Sequence, residues 1–242
     1  MEASYVDLAD PTHLEFDYLR WIRIMLVVAG ARRVLHIGGG ACALARALAA
    51  QDPGGRQEVC EVDADVLEIA RTHMGLRRVP GLRVRHAEGR AFVTERPAGR
   101  WDAVVIDAFA GATVPRRLIT AEAFAEIARV APLALVNVVD NRSAREVRLV
   151  AAGLATAYPS VWTLGARAGN SIVAGSATTQ PLALVAARAA ADPSPPQLTT
   201  PATLAMLLRG TTALRDRDLE RAAAPFRHRH EPDYRVRPCV GA

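Results

Sequence analysis

Apolar residues fall into short blocks separated by stretches of a different period. Apolar runs at 32–37, 57–62, 82–86, 101–107 and 132–139 alternate with helical patterns at 41–51, 64–74, 89–95, 119–130 and 143–157. Runs such as 101–107 and 132–139 suit strands buried on both faces, and the three-to-four spacing suits helices with one buried face. Their alternation predicts crossover units, and so an α/β fold with a mostly parallel sheet covered on both sides. Two further blocks, Ser160 to Leu164 and Ser171 to Gly175, are joined by too few residues for a crossover. They predict an antiparallel hairpin that completes a seven-stranded sheet.

Ahead of this alternation, Leu14, Tyr18, Trp21, Ile22 and Met25 recur at helical spacing up to Gly30, and Asp10-Pro11 predicts the helix start as a cap followed by proline. After Thr178 the texture changes to an alanine-rich helix, a proline cluster at 192–196, a helix capped by Thr200 before Pro201, and a charged segment through Arg221. The expected organisation is an N-terminal segment and helix over 1–30, a nucleoside-binding core over 31–178 and a helical extension over 179–242. In the tail segment His228-Arg229-His230-Glu231 the two histidines are two apart and do not share a helix face, which predicts a solvated tail, so no metal site is expected.

Composition narrows the chemistry. All 30 basic residues are arginine, which excludes a Schiff-base lysine, a pyridoxal-phosphate anchor and a Walker A lysine. The net charge of +5 is modest and the arginines are not interleaved with aromatics, so a nucleic-acid partner is not expected. No apolar run reaches the ~20 residues of a membrane span, and Met1 to Pro11 has neither a basic nor an apolar leader region, so the expected location is the cytoplasm without membrane association. Cys42, Cys60 and Cys239 lack metal or redox spacing and read as buried thiols. Cys42 is the one placed where a helix N-terminus can favour a thiolate.

Ligands of an open parallel sheet bind off the carboxyl ends of the strands, where the strand order reverses. Those ends carry, in turn, Gly38, Gly39 and Gly40; Glu61, Val62 and Asp63; Glu88 and Gly89; Asp107 and Ala108; and Asn137, Asp140 and Asn141. Glycines admit a ligand to the backbone and leave amides open at a helix start. Glu61 is spaced to accept from two vicinal ribose hydroxyls, and Glu88 from an adenine amino group. Asp107 stands where a reacting group would be, able to hold a cationic amine or act as a base. Asp63 reads as the cap of the helix from Ala64, His36 as a satisfied core residue, and His13 and Tyr18 as candidates to face a substrate pocket together with Asn137 and Asp140. Gly38 to Ala43 also satisfies the dinucleotide form G-x-G-x-x-A, which keeps an NAD-binding protein as the rival. The third acid and the terminal hairpin favour a Rossmann-like S-adenosylmethionine-dependent methyltransferase fold.

The run VLHIGGG, the EVD at 61–63, the AEGRAF at 87–92 and the WDAVVIDAF at 101–109 resemble the polyamine aminopropyltransferases, spermidine synthase and its relatives. SYVDLADPTHLEFDYLRWI, IDAFAGATVPRRL and GNSIV are similar to the spermidine synthase-like proteins of actinobacteria. The resemblance covers residues 4 to 176. It implies S-adenosylmethionine or its decarboxylated form as cofactor, with Gly38 to Gly40 along the methionine-like part, Glu61 on the ribose, Glu88 with Gly89 at the adenine, Asp107 at the transfer centre, and a homodimer. The chain departs from that family at Ala41, where the family carries an aspartate for the aminopropyl amine, and at Asp107-Ala108-Phe109-Ala110-Gly111, where it carries D-x-x-D-P. The family's tyrosine-histidine pair on the first helix is not evident, and its N-terminal β-hairpin domain is not expected ahead of that helix. The expectation is a transferase of a methyl or aminopropyl group to an unidentified small acceptor, with a non-catalytic nucleoside-binding protein as the alternative.

Overall fold

The computed structural model describes residues 4–223, apart from 77, 78, 141, 142 and 167. Helix α1 (Asp17–Val28) leads into β1 (Arg33–Gly38), α2 (Ala43–Gln51), β2 (Arg56–Glu61), α3 (Ala64–His73), β3 (Leu82–His86), α4 (Gly89–Thr94), β4 (Ala103–Asp107), α5 (Ala121–Val130), β5 (Leu133–Asp140) and α6 (Arg145–Leu154). The hairpin strands β6 (Ser160–Gly165) and β7 (Gly169–Ser176) follow, then α7 (Leu182–Ala189), β8 (Gln197–Thr199), α8 (Pro201–Leu207) and α9 (Asp216–Ala223). All seven expected strands form. They lie in the order β3-β2-β1-β4-β5-β7-β6, the first five parallel and the hairpin antiparallel, as in a Rossmann-like methyltransferase sheet.

Two expectations need correction. An eighth strand, β8, pairs antiparallel with β6, so the segment after Thr178 adds a strand to the sheet rather than only helices. Three residues bounded by prolines are too short to show a period, and the open edge of β6 is what makes them a strand. Helix α1 also begins at Asp17, not at Pro11. Asp10 instead accepts the backbone N–H and the hydroxyl of Thr12 in a turn (2.8 and 2.7 Å), because a short polar side chain satisfies its own backbone there as readily as a helix would.

The central strands bury both faces, with side chains alternating between two apolar layers, while the edge strands β3 and β8 are only partly covered. From β1, Leu35 and Ile37 join Phe92, Phe124, Ile127, Val150 and Leu154 on one side; Val34 joins Trp21, Ile22, Leu26, Leu44 and Trp162 on the other. The segment after Thr178 is tied down by polar groups as well. Asp192 takes a two-pronged pair from Arg20 (2.9 and 3.1 Å), Trp21 donates its indole N–H to the Ser194 carbonyl (3.1 Å), and Asp216 of α9 takes both Nη groups of Arg90 (2.7 Å each). Among the described residues no helix is long and apolar enough to cross a membrane.

Candidate functional site

The strand order reverses between β1 and β4, and the ladder sets Gly38 directly beside Asp107. Gly38 has φ +77°, and a Cβ on it would fall 2.5 Å from the Asp107 carbonyl oxygen, so only glycine lets the ends of β1 and β4 meet. Gly39 and Gly40 continue at φ +128° and +52° and Cys42 at +63°, bending the chain sharply before α2. The Ala41 N–H in this bend is taken by the Ser4 hydroxyl (3.1 Å).

A cavity of about 570 Å³ opens under this loop. Phe16, Tyr18 and Leu19 of the α1 region cover it, Phe109, Gly111 and Ala112 flank it after β4, and Asn137, Val139 and Asn170 close it from β5 and β7. At its polar end the Asn137 amide donates to Asp107 Oδ1 (2.9 Å) and the Tyr18 hydroxyl donates to Oδ2 (3.2 Å). Burial raises the Asp107 carboxyl above the usual carboxylate range, against the lowering effect of the two hydrogen bonds. Burial, and then the nearby Asp107 charge, push the Tyr18 phenol up, so it remains a donor. Asn137 is 1% exposed, and its Oδ1 has no partner among the described residues.

The other strand-end acids behave differently. Glu61, 8% exposed, accepts the Asp63 N–H through Oε1 (3.0 Å), and Asp63 caps α3 by accepting from Asp65 N (2.9 Å) and Val66 N (3.2 Å). Glu88 caps α4, with one oxygen on Arg90 N (3.2 Å) and the other on Ala91 N (2.9 Å). Gly89 is demanded by packing, since a Cβ there would collide with Ile37 Cγ2. Val62, 65% exposed, presents an uncovered apolar surface at the same edge, and Ala108 packs on the core. None of Glu61, Val62, Glu88, Gly89 or Ala108 lines the cavity.

Of the four residues expected to face a substrate, Tyr18 and Asn137 line the cavity and His13 and Asp140 do not. The His13 ring pairs with Glu15 (3.0 Å) at the surface, and Asp140 accepts the Val147 N–H (2.9 Å) beside a separate cavity of about 170 Å³. Ser4, Phe16, Phe109 and Asn170 also line the cavity, without a signal in the sequence that marks them. Ser4, Phe16 and Phe109 come from loops, where no periodicity marks which way a residue faces, and Asn170 comes from the first residues of β7, beside Val139. His36 is a core residue bonded to Gln57 (3.0 Å), held neutral because burial lowers its pKa to about 4. Burial pushes the Cys42 thiol up to about 12, with Glu61 nearby adding to it, so the position at the helix start does not produce a thiolate. Among the described residues no cluster of three or more His, Cys, Asp or Glu is placed to hold a metal; Asn141, the tail histidines and Cys239 lie outside them.

No protein-family model and no curated protein matches the chain. Solved structures do. A probable spermidine synthase from Corynebacterium glutamicum aligns over 85% of this chain and 82% of its own, at 27% identity and a TM-score of 0.77. A spermidine synthase in complex with the transition state analogue AdoDATO aligns over 79% and 71%, at 18% identity and TM-score 0.61. Human methyltransferase-like protein 13 in complex with SAH aligns over 83% and 96%, at 16% identity and TM-score 0.56. The fold is spermidine synthase-like, of the kind shared with S-adenosylmethionine-dependent alkyltransferases.

Proposed function

We propose that the chain is a transferase that binds S-adenosylmethionine or its decarboxylated form and passes a methyl or aminopropyl group to a small acceptor. The observation that carries this reading is Asp107. It sits beside Gly38 at the reversal of strand order, inside a ligand-sized cavity, and is held by Tyr18 and Asn137. The residues present fit such a nucleoside. The backbone of Gly38 to Gly40 admits close approach, Glu61 retains a carboxylate oxygen for a ribose hydroxyl beyond its bond to Asp63, Val62 offers an apolar face, and Glu88 with Gly89 shapes the adenine side. The sulfonium of the cofactor supplies an electrophilic carbon.

Asp107 orients the acceptor and takes its proton, and the apolar walls keep water from competing. Alkyl transfer from a sulfonium depends mainly on alignment, so one fixed carboxylate with its two supports is sufficient machinery. The second reading, a nucleoside-binding protein without catalysis, draws on Ala41 and on the commitment of both Glu88 oxygens to α4. Calorimetric titration of the purified protein with S-adenosylmethionine, decarboxylated S-adenosylmethionine, methylthioadenosine and NAD tests the site. Binding of the sulfonium nucleosides is expected, and tight binding of NAD alone overturns it.

A further inference from the structure

We propose that the acceptor is a primary monoamine with an apolar body, its nitrogen seated between Asp107 and Asn137. The reaction written below rests on the transferase reading; the binding preference rests on the cavity alone. Asp107 is the one carboxylate among the residues that line it, and no arginine lines it. His36, on its wall, is neutral and already bonded to Gln57. The remaining surface is mostly hydrocarbon, from Phe16, Leu19, Leu44, Val105, Phe109 and Val139.

An ammonium group fits the polar end. Asp107 supplies the charge and a lone pair, and the unpartnered Oδ1 of Asn137, which is bonded through its own Nδ2 to the same carboxylate, supplies a second acceptor. Tyr18 donates to Asp107 from the other side and fixes the plane of the carboxylate. A diamine would bring a second ammonium against aromatic and aliphatic walls, where a charge without a partner is strongly disfavoured. An apolar body instead gains by leaving water.

The atoms balance for this class of substrate. The ammonium gives one proton to Asp107, and its freed lone pair attacks the carbon on sulfur. The C–N bond forms as the C–S bond breaks, the bonding pair returns to sulfur, and a neutral thioether leaves. The product is a secondary ammonium, and Asp107 releases its proton to solvent.

The test is calorimetric titration of the full chain with hexylamine, 1,6-diaminohexane, putrescine and hexanol, each with and without methylthioadenosine, followed by mass spectrometry after incubation with both sulfonium cofactors. Hexylamine is expected to bind at least about tenfold tighter than either diamine or the alcohol, and Asp107→Asn to lose about tenfold of that affinity. Diamines that match or exceed hexylamine, or an unaffected Asp107→Asn, overturn the monoamine assignment even if the nucleosides bind and react. Hexylamine preference in a protein that binds no sulfonium nucleoside supports the amine site and overturns the transferase reading instead.

Discussion

Glu61 and Glu88 end β2 and β3 with their carboxylates turned back toward their own chain, onto amides two or three residues away. Asp107, at the end of β4, is held by side chains 89 and 30 residues distant, from α1 and β5. The rim acids are therefore part of how local turns and helices start. The floor acid is placed only by the tertiary fold, and it costs the protein the burial of a carboxylate facing a cavity. A local cap can hold a ligand only with the oxygen it has left over, whereas a carboxylate supported by distant donors is oriented toward whatever fills the space in front of it. In the proposed transferase, this difference gives binding to one region and chemistry to the other.

The sharpest way to break that division is Asp107→Ala. Loss of an oriented base should reduce alkyl transfer by about 10²–10⁴-fold, measured as product formation by mass spectrometry, while the protein still melts cooperatively. A variant retaining full turnover would move the chemistry elsewhere. Next in size is Glu61→Ala. It should weaken methylthioadenosine binding by about 1.5–3 kcal/mol, roughly ten- to a hundred-and-fifty-fold, read by calorimetry. An unchanged affinity would show that Glu61 serves only the turn into α3.

The rim was legible in the sequence because its logic is local. Three glycines after an apolar block, the acids Glu61 and Glu88 where β2 and β3 end, and Asp63 before a helical period can each be read within a few residues. The parallel sheet followed from the alternation of strands with helices, and the hairpin from its short connection. The cavity was only half legible. Tyr18 and Asn137 fall on a helix face and a strand end, where periodicity fixes direction, but Ser4 and Phe109 face it from loops that no spacing reveals, and Asn170 joins it only because β7 pairs with β5. His13 and Asp140 show the converse, since residues of suitable chemistry a few positions away were satisfied by neighbours, Glu15 and the Val147 amide. β8 became a strand only because β6 left an edge for it.

A smaller effect tests the rim from the other side. Glu88→Ala removes both acceptors at the start of α4 and should cost about 1 kcal/mol of stability in urea unfolding, in the range of a lost helix cap. Its effect on methylthioadenosine affinity should be smaller than that of Glu61→Ala, because both Glu88 oxygens are already engaged. An affinity loss as large as that of Glu61→Ala would mean the cap opens to serve the ligand.

The smallest expected effect is a pH dependence that belongs to the floor alone. The Asp107 carboxyl in the folded protein titrates above the 3.8 of a free aspartate, mainly because of burial. Between 3.8 and its raised value the folded state keeps the proton and the unfolded state does not, so stability falls as pH rises through that window and the full cost is present above it. Asp107→Asn carries no such titration. Its melting temperature should exceed that of the wild type at pH 7, and the difference should shrink as the pH is lowered toward 4. His36 acts in the opposite sense, since its pKa of about 4 makes both proteins lose stability as the pH falls below 6.5. Because His36 is common to both, subtracting one melting curve from the other leaves Asp107. A difference that stayed constant with pH would show that the carboxylate is well solvated through the cavity, and that an acceptor amine would meet it without displacing much of its burial cost.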